Sequence, residues 1–130
     1  MDYNEAKIYF LSQPESWLDY PFGERTLVFK IKSKMFGLLF TSKQLPRINL
    51  KCDPEEAQIL REIFPSVLPG YHMNKTHWNT ILLDGSVPSG ELKRMIDNSY
   101  TLVIGSLRKV ERTHMEALHG KRIAEPMSFN

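Results

Sequence analysis

The sequence predicts an α+β fold: a two-layer sandwich in which an antiparallel sheet carries its helices on one face, in the order α-β-β-β-α-β-α. Three observations carry this expectation. The stretches "TLVFKIK" (26–32) and "RINLKC" (47–52) alternate apolar and polar residues with the period of half-buried strands. "DPEE" (53–56) is a compact helix start. Leu92, Ile96, Tyr100, Val103 and Leu107 then repeat at helical spacing along one stripe.

The chain opens with a helix over 3–13, where Tyr3, Ala6, Tyr9 and Phe10 share a face and Pro14 ends the run. "SWLDYPFG" (16–23) reads as a loop, broken by Pro21 and Gly23. In the first strand Leu27, Phe29 and Ile31 are expected inside, with Thr26, Val28, Lys30 and Lys32 outside. Ser33 and Lys34 are placed at a hairpin tip, and "MFGLLF" returns as the partner strand. In the third strand Ile48, Leu50 and Cys52 face inward, leaving Arg47, Asn49 and Lys51 outward.

Asp53 is a good N-cap, Pro54 suits the first helical position, and Glu55 and Glu56 favour the positive end of the helix dipole. Ala57, Leu60, Ile63 and Phe64 form that helix's apolar face, and Pro65 stops it. The stretch "YHMNKTHWNT" (71–80) then leads into a strand, "WNTILL", that ends at the Asp84-Gly85 turn. A two-residue turn at Asn74-Lys75 would set His72 opposite His77 and Tyr71 opposite Trp78, an aromatic pair worth up to about 1 kcal/mol. A more open loop is the other reading. The last core helix runs from about Pro88 to Leu107. Residues 108–130 are mostly polar, with a short helix expected around Val110, His114 and Leu118 before a loose end.

A chain of 130 residues, 42% apolar and 25% charged, is sized for one hydrophobic core. No apolar run approaches the roughly 18 residues of a membrane span. The acidic start MDYNEAKIYF is not a signal peptide, and the single Cys52 excludes an internal disulfide. Together these read as a cytoplasmic protein with no membrane partner. The net charge of +2 is small, but its distribution is uneven. Between residues 25 and 51 lie Arg25, Lys30, Lys32, Lys34, Lys43, Arg47 and Lys51, without one acid. Such a block either keeps a face solvated or meets an anionic partner.

His72 and His77 are the only candidate metal pair, and a site wants three or four ligands. No HExxH or paired CxxC occurs, so no metal or other cofactor is expected. Catalysis finds no better footing. Cys52 precedes a helix N-terminus, which could activate a thiol, but its alternation turns it inward. Ser99 has no nucleophile elbow around it, and no glycine-rich phosphate loop is present. The expectation is therefore a non-enzyme.

Binding has more support. With helices on one face only, Lys30, Lys32, Arg47 and Lys51 would share the open face. Lys34 and Lys43 sit at strand ends and Lys75 at the loop tip, with His77 beside it for polar contacts. That array suits DNA phosphates or an acidic protein partner.

"PFG", "KSKMFGLLF", "LKCDPEEA", "PGYHMNKTHWNTILLDG" and "NSYTLVIGSL" occur in the order typical of the YjbR family, also called MmcQ/YjbR-like. The resemblance spans roughly residues 3–107, and "YHMNKTHWN" with the later Ser99-Tyr100 is its most specific part. It implies a fold like bacterial frataxin with a double-wing arrangement, and it implies DNA binding, a label that rests on fold analogy. On this reading residues 1–107 form the family domain and 108–130 a C-terminal extension.

Overall fold

A computed structural model of the protein describes residues 1–120. Four helices and six strands follow in order: α1 (Tyr3–Leu11), β1 (Trp17–Asp19), β2 (Leu27–Ile31), β3 (Lys34–Ser42), β4 (Leu45–Lys51), α2 (Pro54–Ile63), β5 (Val67–Pro69), β6 (Trp78–Leu82), α3 (Ser89–Gly105) and α4 (Lys109–His119). All strands join one antiparallel sheet in the order β1-β2-β3-β4-β6-β5. The α+β two-layer expectation holds, with two strands more than the sequence suggested. Residues 17–19, expected in a loop, pair with β2 as an edge strand, and 67–69 pair with β6 at the other edge. Three residues are too few to display an alternation.

The inner face carries the main core. Phe10, Phe29, Phe36, Ile48, Leu50, Ile81, Ile96 and Tyr100 are all at most 2% exposed there. Ala57 and Leu60 bring α2 into it, whereas Ile63, expected inside, faces solvent. Phe10 of α1 stacks on Phe29 with ring centroids 4.3 Å apart and meets Phe36 edge-on. Room for that ring comes from Gly37, directly opposite Phe29 in the β2–β3 register. A β-bulge follows, since Phe29 pairs with Gly37 but Lys30 pairs with Met35. The extra residue, Phe36, turns its side chain into the core. This also moves the hairpin tip, because Ile31 pairs with Lys34. The turn is Lys32-Ser33, with Lys32 at φ +54°, and not Ser33-Lys34 as expected.

The helix signals are realised. Asp53 accepts from the Glu55 and Glu56 N–H groups, with Pro54 in the first turn. Ser99 and Tyr100 tie α3 to its neighbours. The Ser99 hydroxyl donates to the Phe36 carbonyl at 2.5 Å and accepts from the Lys51 N–H, bridging β3 and β4 one residue beyond their end pair, Gly37 with Leu50. Tyr100 donates to the Pro14 carbonyl. The helix expected in the extension is present as α4, which buries Met115 and pairs His119 with Glu15 at 2.7 Å. The loose end expected beyond it lies outside the described residues. No helix among the described residues is long and apolar enough to cross a membrane.

Candidate binding cleft on the outer face

The outer face is not the open basic surface that the alternation suggested. Val28 does point away from the helices, yet it is buried, because it joins Leu38 and Trp78 in a second apolar cluster backed by Met35 and Met73. One row of paired residues crosses this face: Val28, Leu38, Asn49, Thr80 and Leu68. Trp78 is 8% exposed and belongs to this second cluster.

The segment between β5 and β6 is the open loop, not the two-residue hairpin. The last strand pair is Pro69 with Asn79, and the Gly70 N–H donates to the Trp78 carbonyl. Tyr71 therefore does not face Trp78, and His72 and His77 are not cross-strand partners. Asn74 does shape a turn, but through its side chain, which accepts from the Thr76 and His77 N–H groups. Lys75 folds back to the Gly70 carbonyl. Arg61 of α2 clamps the loop from behind, donating to Asn79 Oδ1 at 2.7 Å and to the carbonyls of Lys75 and Trp78.

The loop's first residue is latched to the sheet by a closed ring of hydrogen bonds. The Tyr71 N–H donates to Thr80 Oγ1, whose hydroxyl donates to Asn49 Oδ1. Asn49 Nδ2 in turn donates to the Tyr71 carbonyl. With its backbone held on both sides, Tyr71 projects its ring over Phe40 (centroids 6.2 Å apart, planes at 24°), and His72 leans on it at 4.0 Å. Phe22, from the segment expected to be loop, is also exposed. These four rings wall a cleft of about 310 Å³, at the lower end of the range for ligand sites. Leu38, Met73, Thr26 and Asn49 complete its lining, which holds no carboxylate among the described residues. Asn49 faces outward as expected, but it is 2% exposed and forms part of this cleft.

The predicted cations divide. Lys30 is paired with Asp19 at 2.8 Å and lies over the Trp17 ring; its hydrogen bond holds the Asp19 carboxyl below its ordinary pKa. Lys32 sits in the hairpin turn, bonded to Glu15, and Lys34 donates to the Ser106 carbonyl. Two of the four cations expected to act together are therefore already partnered by acids. Arg47 and Lys51 are different. They lie two residues either side of Asn49 on β4, on the same face, roughly 6–7 Å along the strand from it. Arg47 donates to the Ser42 carbonyl, and among the described residues neither cation is paired with an acid. Lys75 and His77 ride on the exposed loop. Cys52 is buried as expected, and burial, reinforced by Glu56 and Asp53, pushes its thiol up to about 12. Among the described residues no three His, Cys, Asp or Glu side chains gather as a metal site would require.

A sheet layered with helices on one face and presenting an aromatic cleft on the other defines a two-layer α+β class. The chain belongs to the YjbR family, whose model matches residues 11–102. It is 39% identical over 104 residues to YbdF of Escherichia coli O157:H7, an uncharacterized protein, covering 80% of this chain and 85% of that one. The uncharacterized YyaQ of Bacillus subtilis strain 168 is 33% identical, over 72% of this chain and 86% of its own. Among solved structures, a Deinococcus radiodurans protein with a DUF419 domain superposes with a TM-score of 0.81 at 38% identity, covering 88% of this chain and 87% of its own. A Pseudomonas syringae protein does so at 0.70 and 28% identity, over 78% and 98%.

Proposed function

We propose that this protein is a non-catalytic binding protein that takes nucleic acid, DNA first, on the outer face of its sheet beside the 70–77 loop. The observation carrying this reading is the aromatic cleft that Arg47 and Lys51 flank on β4, with no carboxylate in its lining among the described residues. Cations supply the sequence-independent part of nucleic-acid affinity, and aromatic rings supply stacking surface that accepts any base. The set of phosphate-binding cations is smaller than the basic block suggests, because Asp19 and Glu15 already neutralise Lys30 and Lys32. Arg47 and Lys51 carry it, with Lys75 and His77 at the loop.

The test is a titration of the full chain with single-stranded DNA, duplex DNA and RNA across a salt series. Removing one cation that meets a phosphate reduces the slope of log affinity against log salt by about 0.7 for a single strand and about 0.9 for a duplex. Arg47→Gln and Lys51→Gln are expected to flatten the slope by about that step each. Lys30→Gln and Lys32→Gln are expected to leave it in place. No binding to any of the three at low salt overturns the reading and turns attention to an acidic protein partner.

A further inference from the structure

We infer that the outer-face cleft is a pocket for one unpaired nucleobase of a single strand lying across β3 and β4; this rests on the nucleic-acid reading above and specifies its ligand. Three features point to a base and not to a generic apolar group. The walls are π-faces: Tyr71 stands 52% exposed over Phe40, with His72 and Phe22 completing the rim. A flat heteroaromatic ring stacks on such a wall with little dependence on its identity.

The floor is an amide. Asn49 is fixed by one bond through Nδ2, to the Tyr71 carbonyl, and one through Oδ1, from Thr80. Each of those atoms has capacity for one more bond, and at 2% exposure only a ligand seated against the base of the cleft reaches the pair. That pair is what an asparagine uses to read a base edge bidentately. The orientation is not adjustable, since turning the amide over would break both existing bonds.

The third feature is charge. Arg47 and Lys51 bracket Asn49 on the same strand face, at a spacing that lets phosphates on either side of an inserted base meet a cation. A base within a duplex is stacked and paired, and cannot enter a side-chain cleft without leaving the helix. Single strands are therefore the expected substrate.

The experiment uses the full chain and an oligodeoxythymidylate of about ten nucleotides, within the span of known single-strand sites, carrying one 2-aminopurine. Its perfect duplex and free thymidine 5′-monophosphate serve as the other arms. The expected result is tighter binding of the strand than of the duplex, a change in 2-aminopurine emission, and displacement of the Asn49 side-chain amide resonances. Tyr71→Leu, at an exposed position, is expected to weaken strand binding by about 5- to 150-fold, the range of one base–aromatic stack, and Tyr71→Phe to retain it. Strand binding that survives Tyr71→Leu with the Asn49 resonances unmoved overturns the pocket while leaving nucleic-acid binding standing. A duplex bound more tightly than the strand overturns it too. Mononucleotide binding as tight as strand binding overturns the strand as its ligand, and no binding in any arm removes both readings together.

Discussion

Replacing Gly37 with alanine tests the packing of the two layers most directly. Residue 37 lies mid-strand on β3, where a glycine ordinarily costs about 0.5–1 kcal/mol relative to alanine. On propensity alone the substitution should stabilise. The structure predicts the reverse. A Cβ at this position falls 2.1 Å from Phe10 Cε1, 2.8 Å from Cζ and 2.9 Å from Cδ1. Carbon atoms in good contact sit about 3.5–4.0 Å apart, so the ring must retreat by roughly 1.4 Å or more. It has nowhere to go: Phe29 is stacked on it at 4.3 Å, Phe36 meets it at 5.8 Å, and all three rings are fully buried. Overpacking of this kind costs about 1–3 kcal/mol, and expulsion of the ring would cost about 3–5 kcal/mol. With a contact as short as 2.1 Å the cost lies at the top of the first range or within the second, so net of the propensity gain the expected loss is about 2–4 kcal/mol, a large share of a domain's typical 5–15 kcal/mol. In urea, with m about 1–3 kcal/mol/M, the midpoint should fall by roughly 1–2 M at unchanged m. A companion variant supplies the control. In a Phe10→Leu background, Gly37→Ala should cost much less, since the neighbour it strikes has been shortened, and the two effects should couple by about 1 kcal/mol or more. A Gly37→Ala protein as stable as wild type would refute the reasoning.

Three further predictions concern other parts of the molecule. Trp78→Ala empties the outer-face cluster and is expected to cost about 3–5 kcal/mol, lowering the melting temperature by roughly 10–20 °C; an unchanged melting temperature would place the indole outside the packing. Arg61→Ala removes the clamp behind the loop, so amide exchange at residues 71–77 should accelerate while that of β3 does not. Arg61→Lys should fail to restore protection, because a single ammonium cannot serve three acceptors fixed around a planar fork, and full rescue by lysine would show that charge alone holds the loop. The Asp84 carboxyl is held down at about 2 by bonds from Ser66 and then Ser86. A depressed carboxylate contributes stability above its unfolded pKa, near 3.8, and loses it as pH falls toward 2. The melting-temperature gap between wild type and Ser66→Ala should therefore shrink between about pH 5 and pH 2, and a gap constant with pH would contradict it.

What is legible in the sequence is what is local. The Asp53-Pro54 helix start, the α3 stripe and the inward set Leu27, Phe29 and Ile31 are each decided by neighbours within a turn or a strand. Val28 shows where that ends. Its direction follows from alternation, but its burial depends on Trp78, fifty residues away, crossing to the outer face through the β4–β6 pairing. The acidic partners of the lysines are hidden for the same reason. Alternation places Lys30 outside, and only β1, too short to see in a sequence, brings Asp19 against it. Asn74 forms a turn, as its residue type suggests, yet its side chain caps a longer loop instead of occupying a two-residue tip. The cleft is invisible in the sequence because Phe22, Phe40 and Tyr71 meet only after the sheet has formed. Arg61 leaves no signal at all, since two of its partners are backbone carbonyls, which every residue carries.

The construction of the 70–77 loop is itself an argument about where function lies. A connection between two adjacent antiparallel strands needs only about two to five residues, and this one is longer. It holds His72 at φ +58°, a left-handed conformation that a residue with a Cβ adopts at a cost of about 1–2 kcal/mol. Against that cost stand the Arg61 clamp, the Asn74 turn, the Lys75 tether and the ring of bonds through Thr80 and Asn49. All of this fixes backbone, while the side chains it displays, Tyr71 and His72, are left facing solvent. A loop stabilised for folding alone would turn its aromatic rings inward, where burial contributes most. Rigid backbone beneath exposed rings is instead the arrangement that lowers the entropy cost when a ligand docks, and the fold places it over the one stretch of β4 that carries an amide between two cations without acidic partners among the described residues.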